Sequence, residues 1–246
     1  MEPQRLDQLL VSLGLTPTRS RARDAIARGT VSVEGKVVTR PGLTVPPSAR
    51  IVIDDPARDY VSRAALKLVA ALDHFSLDPQ GRDCLDVGAS TGGFTEVLLK
   101  RGAAHVTAID VGHGQMHARI AGNPRVTNIE GLNARALTPE DIGRRAIDFV
   151  VSDVSFISLK LALAPALGLA AGGARAVLLV KPQFEAGREA ISKAGLLKQP
   201  ETAPDIAAGL ERWCTQDMGW TSLGLIPSPI EGGDGNREFL LAGIKP

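Results

Sequence analysis

The stretch DCLDVGASTGGF, residues 83–94, limits the fold of this 246-residue chain more than any other segment. A short apolar run ends at Asp86 and Val87, and the chain then enters a turn that is rich in glycine. A strand that passes into a glycine-rich turn and then into a helix is typical of α/β folds that bind a nucleotide-like ligand. The stretch therefore predicts an α/β domain with a ligand site at this turn.

Apolar segments and helical patterns alternate through the rest of the chain. Because this alternation is the pattern of β-α-β units, it predicts a doubly wound, Rossmann-like sheet of seven mostly parallel strands. Ligands of such sheets bind at the carboxyl ends of the strands. The predicted strands are 83–87, 105–110, 125–129, 147–152, 174–180, 220–226 and 238–244, and the predicted helices include 63–75, 93–101, 158–169 and 202–216.

The first fifty residues form a basic region at one end of a nearly neutral chain. They contain eight Lys and Arg against four Asp and Glu, a charge of +4, whereas the whole chain carries +1. Two helical patterns, a hairpin at Glu34-Gly35 and a last strand predict a small α+β module, and its charge suggests an anionic partner. The apolar faces of its helices are predicted from Leu6, Leu9, Leu10 and Leu13, and from Ala22, Ala25 and Ile26.

A charged segment that contains a proline, DDPARDYVSR, separates the basic module from the α/β region. We interpret this segment, residues 54–63, as a short linker with the ends of the two domains on either side. The predicted organisation is a basic module over residues 1–56, a linker over 57–62 and an α/β domain over 63–246.

The glycine-rich turn differs from the common phosphate-binding loops. Ser90 takes the place of the middle glycine of G-x-G-x-x-G, and the Gly-Lys-Ser/Thr of a Walker loop is missing. Asp86 would repel a pyrophosphate and suits a cationic ligand instead. S-adenosylmethionine has an ammonium and a sulfonium group, and its carboxylate can bind amides at a helix start. Asp110, at the end of the next predicted strand, is placed to accept both ribose hydroxyls of an adenosine cofactor.

Four further charged residues stand at the predicted ends of strands or helices: Lys67, Asp153, Lys181 and Glu238. A single charged residue directly after an apolar run is as often a solvent-facing strand end as a functional group. Two lysines and two carboxylates at the same rim of the sheet favour a role in proton transfer.

The basic module resembles the S-four-like RNA-binding domain, which is named after a small-subunit ribosomal protein. The matching residues are Arg5-Leu6-Asp7-x-x-Leu10, Ser20-Arg21, Ala25-x-x-x-Gly29, Val31-x-Val33-x-Gly35 and Pro41-Gly42. The resemblance implies binding of structured RNA, and residues 1–50 contain no aromatic side chain that could stack on single-stranded bases. The RNA-binding residues that we expect are Arg5, Arg19, Arg21, Arg23, Arg28 and Lys36.

The α/β region resembles the TlyA family of ribosomal RNA 2'-O-methyltransferases, also known as haemolysins, which have an FtsJ-like catalytic domain. The matching stretches are VSRAALKL, LDVGASTGGFTEVLLKRGA, DVGHGQMH, SDVSFISL, LVKPQFE and GNREF. The resemblance implies a class I methyltransferase sheet and a catalytic tetrad of Lys67, Asp153, Lys181 and Glu238. It also implies that S-adenosylmethionine is bound by Asp86, Gly88, Ser90, Gly92, Gly93, Phe94, Asp110 and Asn133.

The reaction that this resemblance implies is methylation of a cytidine 2'-hydroxyl in ribosomal RNA or ribosomal subunits. A ribose hydroxyl becomes a good nucleophile only as its proton leaves, and a lysine in its neutral form can accept that proton. We expect Lys181 to be this base, Asp153 to align it, and Lys67, paired with Glu238, to be a neighbouring cation. DNA is excluded because it lacks the 2'-hydroxyl.

Further expectations concern the substrate, the compartment and metals. Family members that modify both ribosomal subunits tend to have longer ends than this chain, which favours the large subunit. A start without a signal segment, and two cysteines without disulfide or metal spacing, predict a cytoplasmic setting. His113 and His117 lie four residues apart without an evident third ligand, so no metal is expected.

Two other functions stay open on the sequence alone. One is a membrane-active haemolysin, but the most apolar run, residues 161–180, contains Pro165, Gly172, Gly173 and Arg175. It predicts a helix, a Gly-Gly turn and a strand better than a membrane span, so no stable membrane association is expected. The other is a silent RNA-binding assembly factor, which would bind the cofactor without transferring methyl groups.

Overall fold

The computed structural model describes residues 2–233 and 235–246, and the chain divides into two compact units, one ending at Asp59 and the other beginning at Tyr60. A 3-10 helix, Pro56–Asp59, lies in the stretch that the sequence suggested as a linker. Each unit has its own buried apolar cluster, as expected for separate domains.

The first unit is a small α+β module, as the sequence predicted. Its elements are β1 (Gln4–Arg5), α1 (Leu6–Ser12), α2 (Arg19–Ala27), β2 (Val31–Val33), β3 (Lys36–Val37), β4 (Thr44–Val45) and β5 (Ile51–Ile53). β3, β2 and β5 form an antiparallel sheet, and β1 pairs with β4. The predicted hairpin joins β2 to β3, with positive φ at Glu34 (50°) and Gly35 (75°) as a tight two-residue turn requires.

The predicted apolar faces of α1 and α2 form the core of this module, with one exception. Leu6, Leu9 and Leu10 are buried against the face of α2 that contains Ile26. Leu13 was predicted on the same face, but it is 50% exposed. The helix ends at Ser12, so Leu13 is the C-cap residue and no longer follows the helical period.

The second unit contains the predicted seven-stranded sheet, which confirms the fold class. Its strands are β6 (Asp83–Val87), β7 (His105–Asp110), β8 (Val126–Glu130), β9 (Ile147–Ser152), β10 (Ala170–Val180), β11 (Thr221–Pro227) and β12 (Phe239–Ile244). Their order is β11-β12-β10-β9-β6-β7-β8. The strands from β10 to β8 are parallel, and β12 is antiparallel to both of its neighbours.

Helices cover both faces of this sheet. They are α3 (Ala65–His74), α4 (Gly93–Lys100), α5 (Ala118–Ala121), α6 (Leu159–Leu169) and α7 (Ala203–Gln216), with short 3-10 turns between several of them. α3 and α4 contribute to one apolar cluster, and α6 and α7 contribute to the other. The inner strands β6 and β9 are largely buried and do not alternate between apolar and polar residues, whereas β8, at the edge of the sheet, is partly exposed.

The predicted turn at Gly172-Gly173 is wrong. β10 begins at Ala170 and passes through both glycines, with a shift of register against β9 between Ala170 and Arg175. The end of the chain holds this segment, because the Gly173 amide donates to the Lys245 carbonyl at 2.9 Å and the Lys245 amide donates to the Ala174 carbonyl at 2.8 Å. Gly173 has a φ of +78°, so this pair of glycines forms a bulge inside the strand.

Candidate active site

The loop after β6 is held against two neighbouring segments at the carboxyl edge of the sheet. The amides of Gly88 and Ala89 donate to the Ile109 carbonyl at 2.9 and 3.1 Å. Gly88 has a φ of +84°, and a Cβ atom at this position would lie 2.8 Å from the Asp153 carbonyl oxygen. Gly88 is therefore required for its backbone conformation and for the close approach of the β9 end.

Asp110, at the end of β7, fixes the same loop from the other side. Its Oδ2 accepts the Ser90 amide at 2.8 Å, and its Oδ1 accepts the Gly112 amide at 2.7 Å. Ser90 has a φ of +44°, and its hydroxyl donates to Gln115 Oε1 at 3.0 Å. A carboxylate can accept about four hydrogen bonds, so Asp110 keeps the capacity to accept ribose hydroxyls.

Two cavities lie at this edge and share part of their walls. The larger has a volume of about 550 Å³, and its wall includes Gly88, Ser90, Asp110, Asn133 and Asp153 beside apolar side chains. This volume is in the range of sites that hold small-molecule ligands. The smaller cavity, about 160 Å³, shares Gly88, Ser90, Asp153 and Ser155 with it and adds Gly93, Phe94 and Lys181.

Asp86 does not line either cavity, although the sequence placed it at the cofactor. Its side chain is fully buried, and its Oδ2 accepts the Thr95 hydroxyl at 2.6 Å. Among the described residues Oδ1 has no hydrogen-bond partner. Burial raises the pKa of Asp86 to about 7, with an opposing effect from Thr95 and a supporting one from the Asp153 carboxylate.

Gly92 and Asn133 are two further residues that the sequence placed at the cofactor, and Gly92 is not part of either cavity wall. Gly92 has a φ of +89° at the N-cap of α4, and a Cβ there would lie 3.1 Å from the Ile120 side chain. Asn133 lines the larger cavity, and its side-chain oxygen accepts the Arg135 amide at 3.1 Å at the start of a 3-10 turn.

The four charged residues predicted as a tetrad form two ion pairs. Lys181 follows β10 directly, and its Nζ lies 2.5 Å from Asp153 Oδ1, which follows β9. Lys67, on α3, is paired with Glu238, which precedes β12. Both Lys67 and Glu238 are buried. The structure therefore brings Lys181 and Asp153 together in the wall of the smaller cavity, whereas Lys67 and Glu238 are not part of either cavity wall.

The structure also reveals contacts that the sequence analysis missed. Ser155 Oγ accepts a hydrogen bond from Lys181 Nζ at 2.7 Å. Glu185 accepts the Ser158 hydroxyl at 2.6 Å and the Leu159 amide at 2.7 Å, so it links the segment after β10 to the start of α6. The stretches SDVSFISL and KPQFE contain these residues, but no sequence period reports a contact between two loops.

The basic residues predicted to bind RNA have different surroundings. Arg5 and Arg19 both bind the buried carboxylate of Asp7, at 3.1 and 2.9 Å, and remain about half exposed. Arg21 donates to the Ala57 carbonyl at 2.7 Å. Arg23 and Lys36 are exposed, and Arg23 lines an open surface depression with Arg19 and Pro41.

Arg28 differs from the other five basic residues. Its guanidinium binds both Asp55 oxygens, at 2.9 and 2.8 Å, and Asp24 at 3.0 Å. Its side chain is only 15% exposed. This geometry gives Arg28 a role in holding α2 to the segment after β5.

Two remaining features concern metals and membranes. No cluster of three or more potential metal ligands occurs among the described residues. His117 Nδ1 instead accepts the Arg119 amide at 3.2 Å and caps α5. In the described part of the chain, no helix has the length and apolar character needed to cross a bilayer.

A seven-stranded sheet with one antiparallel strand next to its edge strand, and a glycine loop and Asp110 at its carboxyl edge, define a Rossmann-like methyltransferase. The chain belongs to the FtsJ-like methyltransferase family, which matches residues 60–245, and an S4 domain matches residues 4–51.

Relatives with similar sequences match nearly the whole chain. The 16S/23S rRNA (cytidine-2'-O)-methyltransferase TlyA of Mycobacterium tuberculosis is 46% identical over 239 residues, which cover 96% of this chain and 88% of the relative. Hemolysin A of Brachyspira hyodysenteriae is 38% identical, over 96% of this chain and 98% of that protein. A solved structure from Streptococcus thermophilus, assigned as a hemolysin, aligns with a TM-score of 0.76 and 37% identity over 100% of this chain and 89% of its own.

Proposed function

We propose that this protein transfers a methyl group from S-adenosylmethionine to the 2'-hydroxyl of a cytidine in large-subunit ribosomal RNA. The observation that carries the proposal is the Lys181–Asp153 pair in the wall of a cavity that shares Gly88 and Ser90 with the larger cavity. The M. tuberculosis relative, whose name includes a cytidine-2'-O substrate in both rRNAs, supports the choice of substrate.

The residues of the larger cavity fit S-adenosylmethionine. Gly88 and Ser90 line this cavity, and Asp110 offers acceptors for ribose hydroxyls. Asp86 lies outside this cavity, but one oxygen of its buried carboxyl has no partner among the described residues, so a cation bound nearby would stabilise its ionised form. The residues proposed to hold the cofactor are Asp86, Gly88, Ser90, Gly92, Gly93, Phe94, Asp110 and Asn133.

The tetrad residues then have separate tasks. Lys181 Nζ accepts the proton of the 2'-hydroxyl, and Asp153 holds the amine in place. Lys67 is a second cation whose position is fixed by the buried contact with Glu238. When bound, S-adenosylmethionine supplies an electrophilic methyl group whose bond to sulfur breaks as the oxygen–carbon bond forms. Placing the hydroxyl oxygen in line with that bond supplies much of the rate.

The S4 domain supplies the affinity for ribosomal RNA in this proposal. Arg5, Arg19, Arg21, Arg23 and Lys36 present positive charge that can contact phosphates. The substrate is folded RNA in a ribosomal subunit, and because such RNA is found in the cytoplasm, we place the protein there.

The test is transfer of labelled methyl groups to unmodified large and small ribosomal subunits, offered separately. Wild type is compared with Lys181→Ala and with Lys160→Ala, which removes an exposed lysine of α6 outside both cavities. We expect label in an alkali-resistant dinucleotide from the large subunit, lost only in Lys181→Ala. A wild-type protein that binds the cofactor but labels neither subunit would contradict the proposal and favour an assembly factor.

A further inference from the structure

We propose that Ser155 is a positioning residue whose hydrogen bond, beside the Lys181–Asp153 ion pair, orients the amine of Lys181 so that its lone pair can face the substrate hydroxyl. The inference rests on the proposed function, because it assumes that Lys181 is the base. It assigns a task to a hydroxyl that lies beside the predicted tetrad and lines both cavities.

The geometry places two oxygen atoms at one amine, and one of them, Ser155 Oγ, accepts a hydrogen bond from it. Lys181 Nζ lies 2.7 Å from Ser155 Oγ and 2.5 Å from Asp153 Oδ1. Both oxygens belong to the loop after β9, and Lys181 follows β10, which is the parallel neighbour of β9. The sheet therefore holds the amine, its hydrogen-bond acceptor and its ion-pair partner at adjacent strand ends.

The protonation state of the Lys181 amine decides how many N–H donors it has and whether it has a lone pair. A neutral lysine amine has two N–H bonds and one lone pair, whereas the ammonium form has three donors and no lone pair. One N–H bond of Lys181 is directed to Ser155 Oγ, whereas Asp153 Oδ1 lies close as an ion-pair partner without a hydrogen bond. The hydrogen bond to Ser155 therefore restricts rotation of the amine and limits the lone pair to the remaining tetrahedral positions.

The cavity beside Ser155 gives the substrate access to the Lys181 amine. Lys181, Asp153 and Ser155 all line the smaller cavity, so a remaining position on Nζ is available to a group that enters there. The side chain of Ser155 is exposed and adds nothing to an apolar core. The next residue, Phe156, has a φ of +64° and is 90% exposed, and such a backbone conformation outside glycine is typical of functional loops.

The proton transfer is balanced at named atoms. The 2'-hydroxyl proton moves to Lys181 Nζ, and the electron pair of the O–H bond stays on oxygen, which forms the new bond to the methyl carbon. Sulfur keeps the electron pair of the bond that breaks, and Lys181 later releases the proton to water. Ser155 forms and breaks no covalent bond. Its hydroxyl oxygen only accepts a hydrogen bond from Lys181 Nζ.

The test is single-turnover methyl transfer to unmodified large subunits as a function of pH, for wild type, Ser155→Ala and Ser155→Thr. Loss of the acceptor should lower the plateau rate of Ser155→Ala about tenfold, because the lone pair is no longer directed. The acidic limb of the pH–rate profile of Ser155→Ala should move to lower pH, because the ammonium form of Lys181 also loses the Ser155 hydroxyl as a hydrogen-bond acceptor. Ser155→Thr keeps the hydroxyl and should restore the wild-type profile.

A matched control separates this effect from damage to the loop. Ser158→Ala removes a hydroxyl three residues further on, which binds Glu185 and caps α6 but does not touch Lys181. We expect it to lower the thermal unfolding temperature without moving the pH profile. Cofactor affinity, measured by calorimetry, should stay at the wild-type value in all three variants.

The outcomes are distinguishable. A Ser155→Ala protein with the wild-type plateau and profile, while Lys181→Ala is inactive, overturns the inference and leaves the proposed function intact. A Ser155→Thr protein as defective as Ser155→Ala, with intact cofactor binding, also overturns it, because the hydroxyl is then not the operative group. A wild-type rate in Lys181→Ala removes the assignment of the base, and the inference falls with it.

Discussion

At the scale of single residues, Asp86 shows how the fold imposes an electrostatic cost at the site. Its carboxyl group is fully buried, with one hydroxyl donor on Oδ2 and no partner for Oδ1 among the described residues. Burial raises its pKa to about 7, whereas in the unfolded chain it titrates near 3.8. The native state therefore holds this proton far more tightly than the unfolded state does.

This difference predicts the direction of a pH effect on stability. Between about pH 4 and about pH 7 only the unfolded chain releases the proton, so the contribution of Asp86 to the free energy of unfolding falls as the pH rises. Asp86→Asn cannot ionise, so its stability relative to wild type should increase across this window, by a few kcal/mol in all. Urea unfolding of both proteins without cofactor measures this, and a difference that stays constant with pH would contradict the assignment.

Gly88 shows a steric requirement at the same scale. Gly88→Ala combines a φ of +84° with a Cβ atom 2.8 Å from a backbone oxygen. We expect a loss of about 3 kcal/mol or more in the free energy of unfolding, together with weaker cofactor binding.

The matched control for this change is Gly81→Ala. Gly81 has a φ of +69° and nothing within 4 Å of an added Cβ atom. It should therefore show the conformational cost alone, about 1 kcal/mol, with unchanged cofactor affinity. Equal losses in the two variants, measured by urea unfolding and calorimetry, would show that the contact with the Asp153 carbonyl is unimportant.

At the scale of elements, α2 and its C-cap contain two arginines with opposite roles. Arg23 is exposed, whereas Arg28 binds Asp24 and both oxygens of Asp55. A charge in water is available to a phosphate, and a charge held by two carboxylates is not. Sequence position alone treats the two residues alike.

The two arginines should therefore give different phenotypes. Arg23→Ala should weaken binding to ribosomal subunits and lower the slope of log affinity against log salt by about 0.7 to 0.9, without a change in stability. Arg28→Ala should lower the stability of the first unit by about 1 to 3 kcal/mol, because Asp55 loses the guanidinium that binds both of its oxygens. Filter binding at several salt concentrations measures the first effect, and urea unfolding measures the second. If Arg23→Ala lowered stability and Arg28→Ala lowered the salt slope, Arg28 would be the RNA contact and Arg23 the structural residue.

Sequence patterns predicted the elements of the sheet closely, and the exceptions are informative. β6, β7 and β9 have the predicted bounds, because each has a short, mostly buried stretch with apolar residues between polar turns. β10 begins four residues before the predicted start, because the chain end at Lys245 pairs with a glycine-rich segment. Local composition marked that segment as a turn, and a partner about 70 residues away made it a strand.

At the scale of the whole molecule, two units with separate apolar cores should keep separate functions. A chain that begins at Tyr60 should keep the cofactor affinity of the full protein but lose methyl transfer to ribosomal subunits. Calorimetry and the labelling assay test the two statements. Full transfer by the shortened chain would show that the S4 domain is dispensable for the substrate.

The boundary of the second unit can be tested by a shorter chain that begins at Arg63. It lacks the Val61 amide, which donates to the buried carboxylate of Glu96 at 2.6 Å, and Ser62, which lines the smaller cavity next to Gly93. We expect about tenfold weaker cofactor binding than in the chain from Tyr60, because Glu96 loses a donor and the cavity loses part of its wall. Equal affinities would place the functional boundary at or beyond residue 63.

The sequence by itself determined the order of elements, the position of the glycine loop and the family. These depend on periodicity, turn residues and local motifs, which act over a few residues. It also singled out Lys67, Asp153, Lys181 and Glu238 as residue types.

Only the tertiary structure decided which of these residues meet. Lys67 and Glu238 are 171 positions apart and form one pair, Lys181 gains Ser155 as an unforeseen acceptor, and Asp86 lies outside the cavity that it was expected to line. The exposure of a charge, and the pKa that follows from it, depend on neighbours brought together by the order of the strands. No period or motif within one segment contains that information, because packing between distant segments sets these distances.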